Sequence, residues 1–70
     1  MRHHPVTSSR IASVGYDPQS RTLEIRFHDK RTYQYHEVPE RIFTLFLTVV
    51  SKGRFYDGVV KGKYKEKRIA

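Results

Sequence analysis

Seventy residues make a single domain, and a chain this short buries only about 60% of the surface that its unfolded state exposes, so its nine tyrosines and phenylalanines must supply much of the core. The chain has no cysteine, which excludes disulfides, thiol nucleophiles and thiolate metal sites and fits a reducing compartment. Fourteen basic against seven acidic residues leave a charge of +7, which favours a polyanionic partner. No apolar leader follows Met1, and no uncharged run nears the ~20 residues of a membrane span, so a soluble cytoplasmic protein is expected.

Residues 1–9 mix His3, His4, Pro5 and small hydroxyl residues without periodicity and read as a disordered lead-in. The two histidines have no further ligand nearby, so no metal site is expected. Arg10 to Tyr16 reads as a first strand, with Ala12, Val14 and Tyr16 on one face and Ile11, Ser13 and Gly15 on the other. Asp17-Pro18-Gln19-Ser20 is a turn: the aspartate accepts from the backbone and the proline presets its own φ. Thr22 to His28 alternates cleanly, with Leu23, Ile25 and Phe27 opposite Thr22, Glu24, Arg26 and His28.

The next hairpin decides which way Tyr33 and Tyr35 face. An odd loop puts both rings with Ile25 and Phe27, and Asp29-Lys30-Arg31 is the expected loop, pairing Phe27 with Tyr33 and Ile25 with Tyr35. Without a glycine, a lysine or arginine must take the left-handed conformation at a cost of ~1 kcal/mol, which burial of two rings outweighs. The opposite face then presents Glu24, Arg26, His28, Thr32, Gln34 and His36, with Glu24 opposite His36 and Arg26 opposite Gln34. A histidine beside a carboxylate is the raw material of general acid–base chemistry, but no further positioning group accompanies it. A solvated or RNA-contacting face is the better reading.

Val38-Pro39-Glu40 opens the one long helix, with proline at the first helical position and glutamate complementing the dipole. Ile42, Leu45, Phe46 and Val49 form the stripe expected to lie on the sheet, while Phe43, Leu47 and Val50 form a second one that something must cover. Gly53 reads as the residue that ends this helix. Phe55 to Lys61 reads as a short second helix with Phe55, Tyr56, Val59 and Val60 inward, closed by Gly62. Residues 65–70 read as a mobile basic tail.

Gly15-Tyr16-Asp17, Thr22-Leu23-Glu24-Ile25-Arg26-Phe27, Tyr33-Gln34-Tyr35, Val38-Pro39 and Ser51-Lys52-Gly53-Arg54-Phe55-Tyr56 together resemble the KTSC domain. That family occurs as small stand-alone bacterial and phage proteins and at the C-terminus of some lysyl-tRNA synthetases. The resemblance runs from about Ser9 to Tyr64. It implies no established activity, although RNA binding has been proposed for the family, which tends to carry glycine in the hairpin where this chain has Lys30.

The expectation is therefore an α+β domain over residues 10–64: a three-stranded antiparallel meander packed on one long helix, with a short C-terminal helix after it. Ser51 to Ala70 holds seven basic and two acidic residues, +5 of the total charge. Lys52, Arg54, Lys61, Lys63, Tyr64, Lys65, Lys67 and Arg68 are the candidate contacts to RNA or DNA, as cations for phosphates and a ring for a base. Arg26, His28, Gln34 and His36 are secondary candidates on the polar sheet face. Capping accounts for Gly53 and Gly62 without a ligand, but leaves the charge from Lys61 to Arg68 unexplained. The alternative is a protein-interaction or self-associating module using Phe43, Leu47 and Val50 or a sheet edge. No phosphate loop, catalytic triad or metal-ligand set is present, so neither catalysis nor a cofactor is expected.

Overall fold

The computed structural model describes residues 1–70. Its sheet has five strands, β1 (His3–Pro5), β2 (Ile11–Asp17), β3 (Thr22–Phe27), β4 (Thr32–Tyr35) and β5 (Glu66–Arg68), antiparallel throughout and in chain order across the sheet. Between β4 and β5 the chain forms α1 (Glu40–Thr48) and α2 (Lys52–Phe55), the latter running into one wide π turn, Tyr56–Val60. The three expected strands are present, and the segments expected to be a lead-in and a tail supply the two edges. Such strands leave little local signal, because each spans only three residues. Their Pro5, Lys67 and Arg68 are edge-strand residue types.

The β2–β3 turn forms as expected, with the Asp17 carboxylate accepting from the Gln19 amide (3.1 Å) and the Ser20 hydroxyl (2.9 Å). The β3–β4 loop is odd, but its residues are His28, Asp29 and Lys30, with Lys30 left-handed at φ 74°. Lys30 N–H donates to Phe27 O (3.0 Å), and Phe27 N–H to Arg31 O (2.9 Å). Parity is kept, so both tyrosines lie on the core side, but Ile25 pairs with Tyr33 and Leu23 with Tyr35. The register is thus displaced by two residues. Glu24 faces Gln34 and Arg26 faces Thr32, rather than His36 and Gln34. Strand β2 corrects a second expectation: a bulge between Ile11 and Ser13 turns Ile11 inward beside Val14, so both are fully buried.

Helix α1 starts after Pro39, which sits one residue outside it in extended conformation, and stops at Thr48, well short of Gly53. The run Thr48-Val49-Val50 is β-branched and favours the extended conformation that Val49 adopts (φ −68°, ψ 148°). Gly53 lies inside α2 with the Arg10 side chain against it. Of the stripe expected on the sheet, Ile42 and Phe46 are buried while Leu45 is 46% exposed. The helix is rotated towards its second stripe. Phe43 stacks on Tyr16 (5.4 Å between centroids) and meets His4 from β1 (5.5 Å), and Leu47 packs on the core. Only Val50, beyond the helix, stays bare at 98% exposure.

Ile11, Val14, Leu23, Ile25, Phe27 and Tyr35 from the sheet meet Val38, Ile42, Phe46, Tyr56 and Val60 in one core. At its centre the Tyr35 and Tyr56 hydroxyls share a hydrogen bond of 2.6 Å, so neither phenol is buried unpaired. The turn Val60–Lys63 closes with Lys63 N–H donating to Val60 O (3.1 Å), Lys61 at φ −64°, ψ 123° and Gly62 at φ 75°. This is a type II turn, which needs a residue free to take positive φ at that position.

Candidate nucleic-acid interface

The turn at Gly62 delivers the chain to the free side of β4. There His36 N–H donates to Lys65 O (2.9 Å) and Thr32 N–H to Ala70 O (3.1 Å), which holds Glu66–Arg68, the end of the basic segment, against β4 as a strand. Lys61, Lys63, Lys65, Lys67 and Arg68 are all exposed. The ion pairs of the molecule are His3–Glu24, Arg10–Asp57 and Arg31–Asp29, so none of these five cations is matched to a carboxylate. Arg68 Nε donates to Ala70 O (2.9 Å). Tyr64 is half-buried and shares a depression of about 330 Å³ with His36, Glu37, Lys63 and Lys65.

Two of the expected contacts lie apart from this edge. Lys52 is half-buried, and its ammonium donates to the Leu47 carbonyl (3.4 Å) and the Val49 carbonyl, capping the end of α1. Arg54 is exposed on α2, where it borders a shallow hollow with Ser8, Ser51 and Lys52. The secondary candidates also separate. Arg26 and Gln34 lie on the uncovered sheet face, Gln34 in register with Lys67. His28 sits in the β3–β4 loop, donating from Nε2 to Ser8 O (2.8 Å), and His36 lies past the far end of β4.

Beside the basic edge a cleft of about 450 Å³ opens between the β3–β4 loop and the π turn. Phe27, Tyr33 and Tyr56 form its apolar side, and Arg10, Arg31 and Lys61 its cationic rim, with Asp29 and Glu66 also present. Arg10 forks onto Asp57 (2.8 and 3.1 Å) and lies 5.8 Å from the Tyr56 ring centre. That hydrogen-bonded pair holds the Asp57 carboxyl below its ordinary range and raises the Arg10 guanidinium. Arg31 holds Asp29 down in the same way.

The uncovered face carries a network that joins Glu24 and Gln34 of the expected polar face to His3, which was expected to lie in the lead-in. His3, Gly15, Glu24, Gln34 and Lys67 stand in one row across all five strands. Because Gly15 has no side chain, the His3 ring crosses β2 to hydrogen-bond Glu24 from Nε2, while Nδ1 bonds the Ser13 hydroxyl (2.8 Å). Gln34 donates to the other Glu24 oxygen (2.9 Å). Burial pushes the Glu24 carboxyl up, but the hydrogen bonds from Gln34 and His3, aided by the charges of His3 and Arg26, outweigh it and hold it below its ordinary value. With both oxygens engaged and no cavity over it, Glu24 is an anchor for β1.

Against known proteins, the KTSC domain model matches residues 7–64, most of the chain and nearly the span read from the motifs. The chain belongs to the KTSC domain family. A KTSC domain protein from Yersinia pestis, known from its crystal structure, superposes with a TM-score of 0.95 at 55% identity, covering 99% of this chain and 97% of that one. A relative in Tsukamurella paurometabola is 44% identical over 61 residues, 87% of this chain and 91% of its own length. A lysine–tRNA ligase of Nostoc punctiforme is 29% identical over 62 residues, which span 89% of this KTSC chain but 11% of the ligase. No helix of the domain is long and apolar enough to cross a membrane.

Sequence reasoning missed Arg10 and Arg31 as partners of the cleft and His3 as a partner of Glu24. Gly15 was the available signal, since a glycine inside a strand marks close approach by another group. An added Cβ there would lie 2.9 Å from Arg2 O and 3.0 Å from His3 Cδ2.

Proposed function

We propose that this KTSC domain is a non-enzymatic RNA-binding accessory module of the cytoplasm that engages phosphates along its β5 edge. The observation that carries the reading is the set of five cations from Lys61 to Arg68 that no carboxylate matches, running from the Gly62 turn into β5, when both arginines of the cleft, Arg10 and Arg31, are neutralised by aspartates. A row of cations along one edge offers phosphates a track, and releases counterions from the nucleic acid when it binds. The resemblance to part of a lysine–tRNA ligase, an enzyme named for its action on tRNA, supports RNA over DNA. Lys61, Lys63, Lys65, Lys67 and Arg68 carry the contact. Lys52 holds the end of α1 and serves it indirectly, and Arg54 is peripheral.

The test is a titration of labelled tRNA and single-stranded RNA at two salt concentrations. Three to five phosphate contacts give a log–log slope of roughly −2 to −5. Absence of binding at low salt, or a slope near zero, rejects the reading. Charge-removing substitutions are the right variants, because deleting residues 61–70 would also strip β5 from β4.

A further inference from the structure

We propose that the cleft between the β3–β4 loop and the π turn holds one unpaired nucleotide of a bound single-stranded RNA, its base against Tyr33 and its phosphate at Lys61. This rests on the RNA-binding reading and adds a site to it. Lys61 belongs both to the basic segment and to the rim, so a strand tracking β5 passes the cleft mouth. The cleft has the volume of a small-ligand site. Its walls divide into rings and cations, the two halves of a nucleotide's chemistry.

The two central tyrosines differ in what remains free. Tyr35 is fully buried and its hydroxyl is taken by Tyr56. Tyr33 is half-buried, stacked towards Tyr35 (6.5 Å, 27°) and perpendicular to Phe27 (6.1 Å, 86°). Its remaining surface lines the cleft beside Arg31. Arg10 is paired with Asp57 and Arg31 with Asp29, which leaves Lys61 alone of the three rim cations without a carboxylate, so a bare phosphate gains little there. A ligand that also stacks gains from both walls. The site therefore selects a phosphate joined to a planar ring.

The experiment is an amide NMR titration of the intact protein with adenosine 5′-monophosphate and, separately, inorganic phosphate. The expected result is shifts over residues 27–33, Tyr56 and Lys61 with the nucleotide, and much weaker ones with phosphate at equal concentration. Tyr33→Leu, which keeps apolar bulk against Phe27, is expected to weaken nucleotide and single-stranded RNA binding by about tenfold while the spectrum stays folded. Unperturbed cleft amides, or equal responses to phosphate and nucleotide, overturn the assignment, and neither outcome depends on the variant folding. Salt-dependent RNA binding that leaves the cleft unperturbed removes the cleft and spares the RNA reading. Nucleotide shifts in the cleft without RNA binding reject the RNA reading and overturn the cleft's role in holding RNA, leaving a site for a free nucleotide.

Discussion

Strands β1 and β5 are each three residues long and each closes one edge of the same sheet, yet they are held by different means. Side chains fasten β1: His3 reaches over Gly15 to Glu24 and Ser13, and His4 lies against Phe43. Backbone bonds fasten β5, whose Lys67 and Arg68 are exposed and matched to no carboxylate. An edge that commits its side chains to the fold has none left for a ligand. An edge held mainly by its backbone keeps them available, so the proposed reading gives structure to β1 and contact to β5.

Gly15→Ala attacks β1 most directly. Its Cβ falls 2.9 Å from the Arg2 carbonyl, and overpacking of this kind costs about 1–3 kcal/mol. A loss of roughly 4–8 °C in Tm per kcal/mol is expected, with hydrogen-exchange protection lost around residues 3–6 and RNA affinity unchanged. Loss of RNA binding in a folded Gly15→Ala protein would break the division of labour.

Glu24→Gln is the milder version, expected to cost about 1–2 kcal/mol at neutral pH through weakened bonds to His3 and Gln34. It also changes the acid limb. The wild-type carboxyl is held low in the fold, so its contribution is complete above the unfolded value of 4.5 and is lost as pH falls through the lower folded value. The stability of Glu24→Gln should therefore fall less steeply over that range, which denaturant melts at stepped pH would measure.

Lys63→Gln, Lys65→Gln and Lys67→Gln together should move stability by no more than about 0.5 kcal/mol, because no carboxylate is left behind. The salt slope for RNA should shrink by about two to three, nearly one per phosphate contact removed. A large loss of stability would show that β5 is held by more than its backbone.

The same contrast marks where the sequence was legible. Strand β3 alternates over its whole length, and parity alone put Tyr33 and Tyr35 on the core side. Parity cannot fix register: the loop closed on His28 rather than Asp29, sliding Glu24 opposite Gln34. The end of α1 was a contest between β-branched residues at 48–50 and a glycine at 53, and local propensity won. Neither β1 nor β5 has a period to read, because what fixes each is a distant partner: Glu24 beneath the gap at Gly15 for one, the bare side of β4 for the other. The basic segment was found by its charge, whereas the cleft depends on Arg10 and Arg31 meeting Tyr56 and Lys61 across the fold.

The buried Tyr35–Tyr56 pair gives the domain an optical clock for its own unfolding. Burial, with its hydrogen bond to Tyr56 and the nearby Glu66, pushes the Tyr35 phenol up, and burial raises Tyr56 against the opposing bond from Tyr35. The neutral phenols thus favour the fold below their ordinary value of 10.0, and that contribution is lost as pH rises through the higher folded values. After a jump to alkaline pH, these two of the five tyrosines should form phenolate only as the core opens. The slow phase of ultraviolet absorbance would then report the unfolding rate with no label attached. A single fast phase carrying all five tyrosines would mean that hydroxide reaches the pair in the folded state.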